Sequence, residues 1–138
     1  MADTVSPERR SEIMSHIRDK GMKPEMIVRR LTHAMGYRHR LHRKDLPGKP
    51  DLVFPSRRKA IFVHGCFWHQ HDDPACKITR LPQSNRDYWV PKLQRNKERD
   101  AEHQANLRGM GWNVLIIWEC EVRAGDNLAD RIRHFLDN

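Results

Sequence analysis

The sequence contains no apolar run approaching the roughly 20 residues that a membrane-spanning helix requires, so a bilayer-spanning role is not expected. Its first residues, MADTVSPERRSE, lack the apolar segment of a secretory signal. A cytoplasmic location is the default expectation. Cysteine is scarce, at three residues, and the number is odd. A reducing compartment disfavours disulfides, which leaves the thiols for metal binding or for buried packing. Acidic residues are outnumbered, 18 Asp+Glu against 26 Lys+Arg, for a formal net charge of +8. Such a balance favours polyanionic partners through steering and counterion release, although a soluble basic surface needs no partner at all. Internal repeats and low-complexity segments are missing too.

What is present is one domain's worth of chain. At 138 residues, with 38% apolar and 32% charged, it can bury a real core. Ser6-Pro7-Glu8 reads as a helix start, with a capping hydroxyl, a proline at the first helical position and acid in the first turn. The helix would reach about Lys20. Ile13, Met14 and Ile17 make only a thin stripe on it, which suits a partner-facing arm or a peripheral packing helix. Pro24-Glu25 opens a second helix, whose apolar face is Ile27, Val28, Leu31, Ala34 and Met35, and Gly36 caps it. Tyr37 to Arg43 reads as a half-exposed strand with a basic outer face. Asp51 to Phe54 and Ala60 to His64 are strands joined by PSRRK, a length that predicts an antiparallel hairpin.

From Gly65 to Ser84 no periodicity persists, and a loop of that length inside a compact domain needs a function or a tether. Asn85 to Arg108 is the longest helical candidate, its regular part expected from Pro91 with Asp87-Tyr88-Trp89 at its start. WNVLIIW, Trp112 to Trp118, is the best candidate for a central strand. Asp126 or Asn127 would cap a last helix carrying Leu128, Ile132, Phe135 and Leu136 on one face. The order α-α-β-β-β-α-β-α predicts an α/β fold, a mixed sheet flanked by helices. Trp112, Trp118 and Phe135 are assigned to the core.

The stretch AIFVHGCFWHQH, Ala60 to His71, breaks this orderly pattern. It begins as a buried strand and ends as a crowd of ligand-type and aromatic side chains. Cys66, His71, Cys76 and Cys120 supply the four soft or borderline donors of a closed tetrahedral zinc site, which would tie the long loop to the end of WNVLIIW. The spacing does not say which histidine binds, since His64, His69 and His103 compete with His71. A buried Cys120 with two incidental loop thiols is the plain alternative. Asp51 and the histidines His64 and His69 could meet in the hairpin, where a carboxylate suits Mg²⁺ and a histidine can take a proton from water. Taken singly, each is more often structural. Phe67, Trp68 and Trp89, beside a basic surface, could stack on bases or wedge into a duplex, and core packing would explain any one of them.

Four motifs together resemble the very-short-patch mismatch repair endonucleases, the Vsr-type family. They are LPGKPD (Leu46 to Asp51), FVHGCFWHQH (Phe62 to His71), NKERD (Asn96 to Asp100) and the GW-VLIIWEC pattern between Gly111 and Cys120. The resemblance covers nearly the whole chain, from about Arg9 to Leu136. It implies a restriction-endonuclease-like α/β fold with a structural zinc, in which 1–20 is a helical arm contacting DNA and 21–138 the endonuclease domain. It also implies Mg²⁺-dependent nicking of duplex DNA 5′ to the T of a T·G mismatch, the first step in repair of deaminated 5-methylcytosine. The competing function is a non-catalytic, zinc-stabilised mismatch-binding module.

By the same resemblance Asp51 holds Mg²⁺, His69 activates water, Asp100 orients His69, His64 contacts the scissile phosphate, and Glu25 shares the active site. His71 becomes the zinc ligand with Cys66, Cys76 and Cys120. Phe67, Trp68 and Trp89 insert from the major groove, and Met14 from the minor groove. The family members compared carry Thr where this chain has Val63, which can offer Mg²⁺ only its backbone carbonyl. The DDPA segment before Cys76 is longer than in some members. The implied partner is double-stranded DNA with a T·G mismatch, read by a monomer near the nucleoid that contacts mismatch-repair proteins.

Overall fold

A computed structural model describes residues 23–41, 43, 45–72, 76, 84–125 and 127–138. The N-terminal arm, Met14 included, lies outside the described residues, as do the cap candidate Asp126 and most of the segment between His71 and Ser84. The second expected helix forms as α1 (Pro24–Ala34), with proline and Glu25 in its first turn and Ile27, Val28 and Leu31 buried. The hairpin forms as well. Strand β1 (Leu52–Phe54) runs antiparallel to β2 (Lys59–His64), with Leu52 opposite Ile61. Between them lie a 3-10 turn (Pro55–Arg57) and Arg58 in the left-handed region at φ 53°. A short helix α2 (Cys66–His69) and a long helix α3 (Arg86–Gly109) then carry the chain back to β3 (Asn113–Trp118). Two more helices follow, α4 (Glu119–Ala124) and α5 (Leu128–Asp137).

Among the described residues the sheet has three strands in the order β1-β2-β3, with β3 parallel to β2. Side chains alternate across it. Leu52, Phe54, Ile61, Leu115 and Ile117 face the larger core, built with α1 and α5. Val53, Phe62, Val114 and Ile116 face the other way, against Leu107 of α3 and Leu46. The sheet therefore has a structural face and an α3 face, and the latter carries His64 and Trp118 side by side at the carboxyl ends of the parallel pair.

Several sequence expectations are corrected here. Among the described residues WNVLIIW is not central: β2 lies between β1 and β3, and β3 stands at the border of the sheet. Its apolar run arises because helices cover both faces, which an edge strand needs as much as a central one. Tyr37 to Arg43 makes one bridge, Arg40 to Val53, rather than a strand. The long helix does not wait for Pro91 but starts at Arg86, with the proline inside its second turn. At that depth the missing N–H forfeits a single backbone bond. Asn127 occupies the cap position of α5 with φ 58°, and its side chain makes no capping bond. Helix α4, which the sequence reading did not foresee, places Cys120 in a turn of helix closed by Gly125 at φ 72°. Trp112 and Phe135 pack on the two cores as expected. Trp118 instead borders the site. No helix among the described residues is long and apolar enough to cross a membrane.

The far end of β2 is fastened by charge. Lys59, only 5% exposed, donates from Nζ to the carbonyls of Phe135 at 2.5 Å and Leu136 at 3.2 Å, closing the end of α5. Tyr37 donates its hydroxyl to Asp137 at 2.8 Å across the same region. Burial, reinforced by that hydrogen bond and the Asp137 charge, pushes the phenol up to about 12. Its contribution to stability is therefore complete below the ordinary tyrosine range and is lost as pH rises towards 12. Tyr37→Phe should lower stability by about 1 kcal/mol at neutral pH. It should also flatten the fall of the urea midpoint through that alkaline window.

Candidate active site and metal centre

The site gathers where β2 ends. Because β1 runs antiparallel, its first residues lie beside the last residues of β2, and this brings Asp51 to Val63. The Asp51 carboxylate accepts the Val63 amide at 2.7 Å, just beyond the last paired position of the two strands. His64 follows, 4% exposed, its ring stacked on His69 with centroids 3.8 Å apart and planes 9° from parallel. Burial, and next the neighbouring His69, lower its pKa to about 4 against the opposing pull of Asp100. The ring is neutral at physiological pH, and its Nδ1 is buried without a hydrogen-bond partner.

Gly65 ends the strand, and α2 turns His69 back over His64. Asp100 of α3 meets His69, Oδ2 to Nδ1, at 2.5 Å. With Nδ1 held by a carboxylate, Nε2 is the nitrogen left to exchange a proton with a substrate or water. Asp51, His64, His69 and Asp100 line one cleft of about 170 Å³, together with Lys49, Gly48 and His103. Lys49 and Gly48 were not singled out from sequence, and His103 was weighed only as a zinc ligand. Lys49 and Gly48 lie in the LPGKPD motif, and His103 lies one helical turn beyond Asp100, so position relative to those motifs was the available signal. Glu25 is not among the residues lining the cleft; on α1 it pairs with Arg29 at 3.6 Å.

On the other side of α2 stands the Cys/His group. One ligand atom from each of Cys66, His71, Cys76 and Cys120 lies within 4.8 Å of the rest. His71 Nδ1 is 3.4 Å from the Cys120 sulfur and 3.8 Å from that of Cys66. A tetrahedral ion with bonds of about 2.0–2.3 Å has edges of about 3.3–3.8 Å, so the donors fit a single ion. Burial pushes the Cys66 thiol up to about 12, which leaves it protonated unless a cation offsets the loss of solvent. His71 stacks on Trp118 at 4.3 Å, which fixes its ring. Sequence left the histidine open; geometry brings His71 to the three cysteines and sends His64 and His69 to the cleft.

The aromatics converge as well. Phe67 and Trp68 on α2 and Trp89 on α3 form a triangle with centroids 5.2, 5.4 and 5.7 Å apart. Trp68 is 47% exposed, so the cluster faces solvent and is not core. Tyr88 extends it, and Lys92 Nζ lies 5.3–5.9 Å from the Tyr88, Trp68 and Trp89 rings. Sequence reasoning missed both; the YW pair at the start of α3 was the signal for Tyr88.

Comparison with known proteins points the same way. The family described as DNA mismatch endonuclease Vsr matches residues 2–75. A type II nicking enzyme of Xanthomonas oryzae pv. oryzae, V.XorIIP, is 52% identical over 99% of this chain and 98% of its own length. The type II nicking enzyme V.NmeAIP of Neisseria meningitidis is 37% identical over 89% of this chain and 86% of its own. The DNA mismatch endonuclease Vsr of Escherichia coli is 36% identical, covering 94% and 81% respectively.

The cleft depends on one close approach. Gly48 has φ +76°, and a Cβ there would meet the His103 Cβ at 2.9 Å and the Phe62 ring at 3.1 Å. Gly48→Ala should therefore destabilise the fold by about 1–3 kcal/mol, read as a lowered urea midpoint.

Proposed function

The chain belongs to the DNA mismatch endonuclease Vsr family, and on that premise we propose that it nicks duplex DNA 5′ to the T of a T·G mismatch. It is a DNA endonuclease. The proposed reaction uses Mg²⁺ and opens very-short-patch repair of deaminated 5-methylcytosine. The observation that supports this reading best is the His69–Asp100 pair facing the same cleft as Asp51. A module that only bound DNA would have no use for a histidine held in that way, which disfavours the non-catalytic alternative. The three-stranded mixed sheet, with Asp51 and His64 at one end, suits a restriction-endonuclease-like core.

Asp51, with the backbone carbonyl of Val63, would hold Mg²⁺, a hard ion that prefers such oxygen donors and neutralises charge on a phosphate. His69 takes the proton of the attacking water at Nε2, and Asp100 holds Nδ1–H and steadies the imidazolium that results. His64, neutral at pH 7, can donate an N–H to a phosphoryl oxygen. Glu25, which pairs with Arg29 on α1, is proposed to belong to the same active site. Phe67, Trp68 and Trp89 would enter the stack from the major groove, and Met14, outside the described residues, from the minor groove. Unstacking beside a T·G wobble requires less energy than beside a matched pair.

The four-donor group is proposed to bind zinc structurally, since three sulfurs and a nitrogen leave no open position. The enzyme would act as a monomer near the nucleoid in the cytoplasm, in contact with mismatch-repair proteins. The test is a nicking assay on a labelled T·G duplex. Asp51→Ala should abolish nicking while mismatch binding persists, and His69→Ala should slow it by about 10²–10⁴-fold. Full activity in either variant would refute the assignment. Elemental analysis should find one zinc per chain, and Cys120→Ser should lose it along with several kcal/mol of stability.

A further inference from the structure

We propose that Lys49 is a catalytic residue of this endonuclease, its ammonium pairing with a non-bridging oxygen of the phosphate that enters the cleft beside Asp51 and His69. The inference rests on the functional reading above and adds a group to its chemistry. The cleft, about 170 Å³, is shared by Lys49, Asp51, His64 and His69. A phosphate group there, with a few waters around it, cannot lie far from any wall.

The charge balance also calls for a cation. Asp51 and Asp100 both line the cleft, and both would repel an incoming phosphodiester. Among the described residues lining it, Lys49 is the sole Lys or Arg. A bound divalent ion would offset part of that repulsion, but it would be held on the Asp51 side. Negative charge still gathers on the other phosphoryl oxygen during attack, where His64 offers an N–H and Lys49 is the one Lys or Arg among the described lining residues.

Lys49 is also held in place. Leu46, 4% exposed, anchors the turn in the core beneath α3, and the Lys49 amide donates to its carbonyl at 3.2 Å. Gly48 lets the same turn press against His103 and the Phe62 ring. The lysine itself adopts φ 50°, a left-handed conformation that glycine takes freely and lysine does not. A strained residue kept on a pinned turn at the mouth of a reaction cleft suggests that its side chain is needed there.

In the hydrolysis, water adds to phosphorus and gives its proton to His69. The bond from phosphorus to the leaving sugar oxygen then breaks, and that oxygen takes up a proton from solvent water. Lys49 exchanges no proton; it holds the oxygen whose charge rises as the water adds.

The test uses the full chain and a T·G duplex. Lys49→Met should slow single-turnover nicking by about 100-fold, and Lys49→Arg should restore most of the rate. Lys49→Gly relieves the left-handed strain, so it should be at least as stable as the parent and yet equally slow. A second readout is binding in the Asp51→Ala background, with a neutral methylphosphonate at the scissile position. That substitution should weaken binding when Lys49 is present and weaken it markedly less once Lys49→Met is added. An equal methylphosphonate effect with and without Lys49→Met, or parental rates in Lys49→Met and Lys49→Gly, would overturn the role of Lys49 alone. A parent that fails to nick the T·G duplex would overturn the functional reading and this inference together.

Discussion

The contact between His69 and Asp100 is the one on which the site depends. It joins a helix of four residues, too short to hold itself, to a helix of 24 that spans the domain. Without it the His69 ring would be free to turn away from the stack on His64. The short helix is held a second time from behind, where Cys66, His71 and Cys120 gather against the start of α4. Between these two tethers Phe67 and Trp68 are carried on the same turn of backbone. The His69 ring, the soft-ligand group and the exposed aromatics are therefore tied to one short element.

The sheet separates the remaining tasks by face. Alternation sends Ile61 and Ile117 into the core with α1 and α5, and sends Phe62, His64 and Trp118 towards α3. Lys59 and Tyr37 fasten the structural face at the far end of the sheet, away from the chemistry. The α3 face is less completely buried, and it is there that the cleft, the stacked histidines and the Trp118–His71 pair lie. His64 on β2 thus lies apart from the larger core, whereas its neighbour Val63 packs against it.

Local pattern made much of this legible in the sequence. The apolar spacing of α1, the short connection of the hairpin and the apolar β3 run all describe short-range order, which sequence carries directly. The site was legible mainly through the motifs LPGKPD, FVHGCFWHQH and NKERD, because no spacing rule distinguishes His69 from His71. That distinction is made in space, by Asp100 reaching one ring and the cysteines the other. Strand order was misread because apolar content reports burial on both faces and not the number of paired neighbours. Helix α4 was missed because six residues are too few to establish a period. Lys49 went unnoticed, and His103 was weighed only as a zinc ligand, because a lone lysine in a turn, or a lone histidine on a polar helix, gains meaning only from the wall it faces.

If the His69–Asp100 pair is the proton-handling centre, its carboxylate must be charged to stabilise the imidazolium. Asp100→Asn preserves the size of the side chain and removes that charge. Single-turnover nicking of a T·G duplex by this variant, measured beside its affinity for the same DNA, tests the account most directly. A rate lower by roughly 100-fold or more, with affinity unchanged, is the predicted result. A parental rate would contradict it.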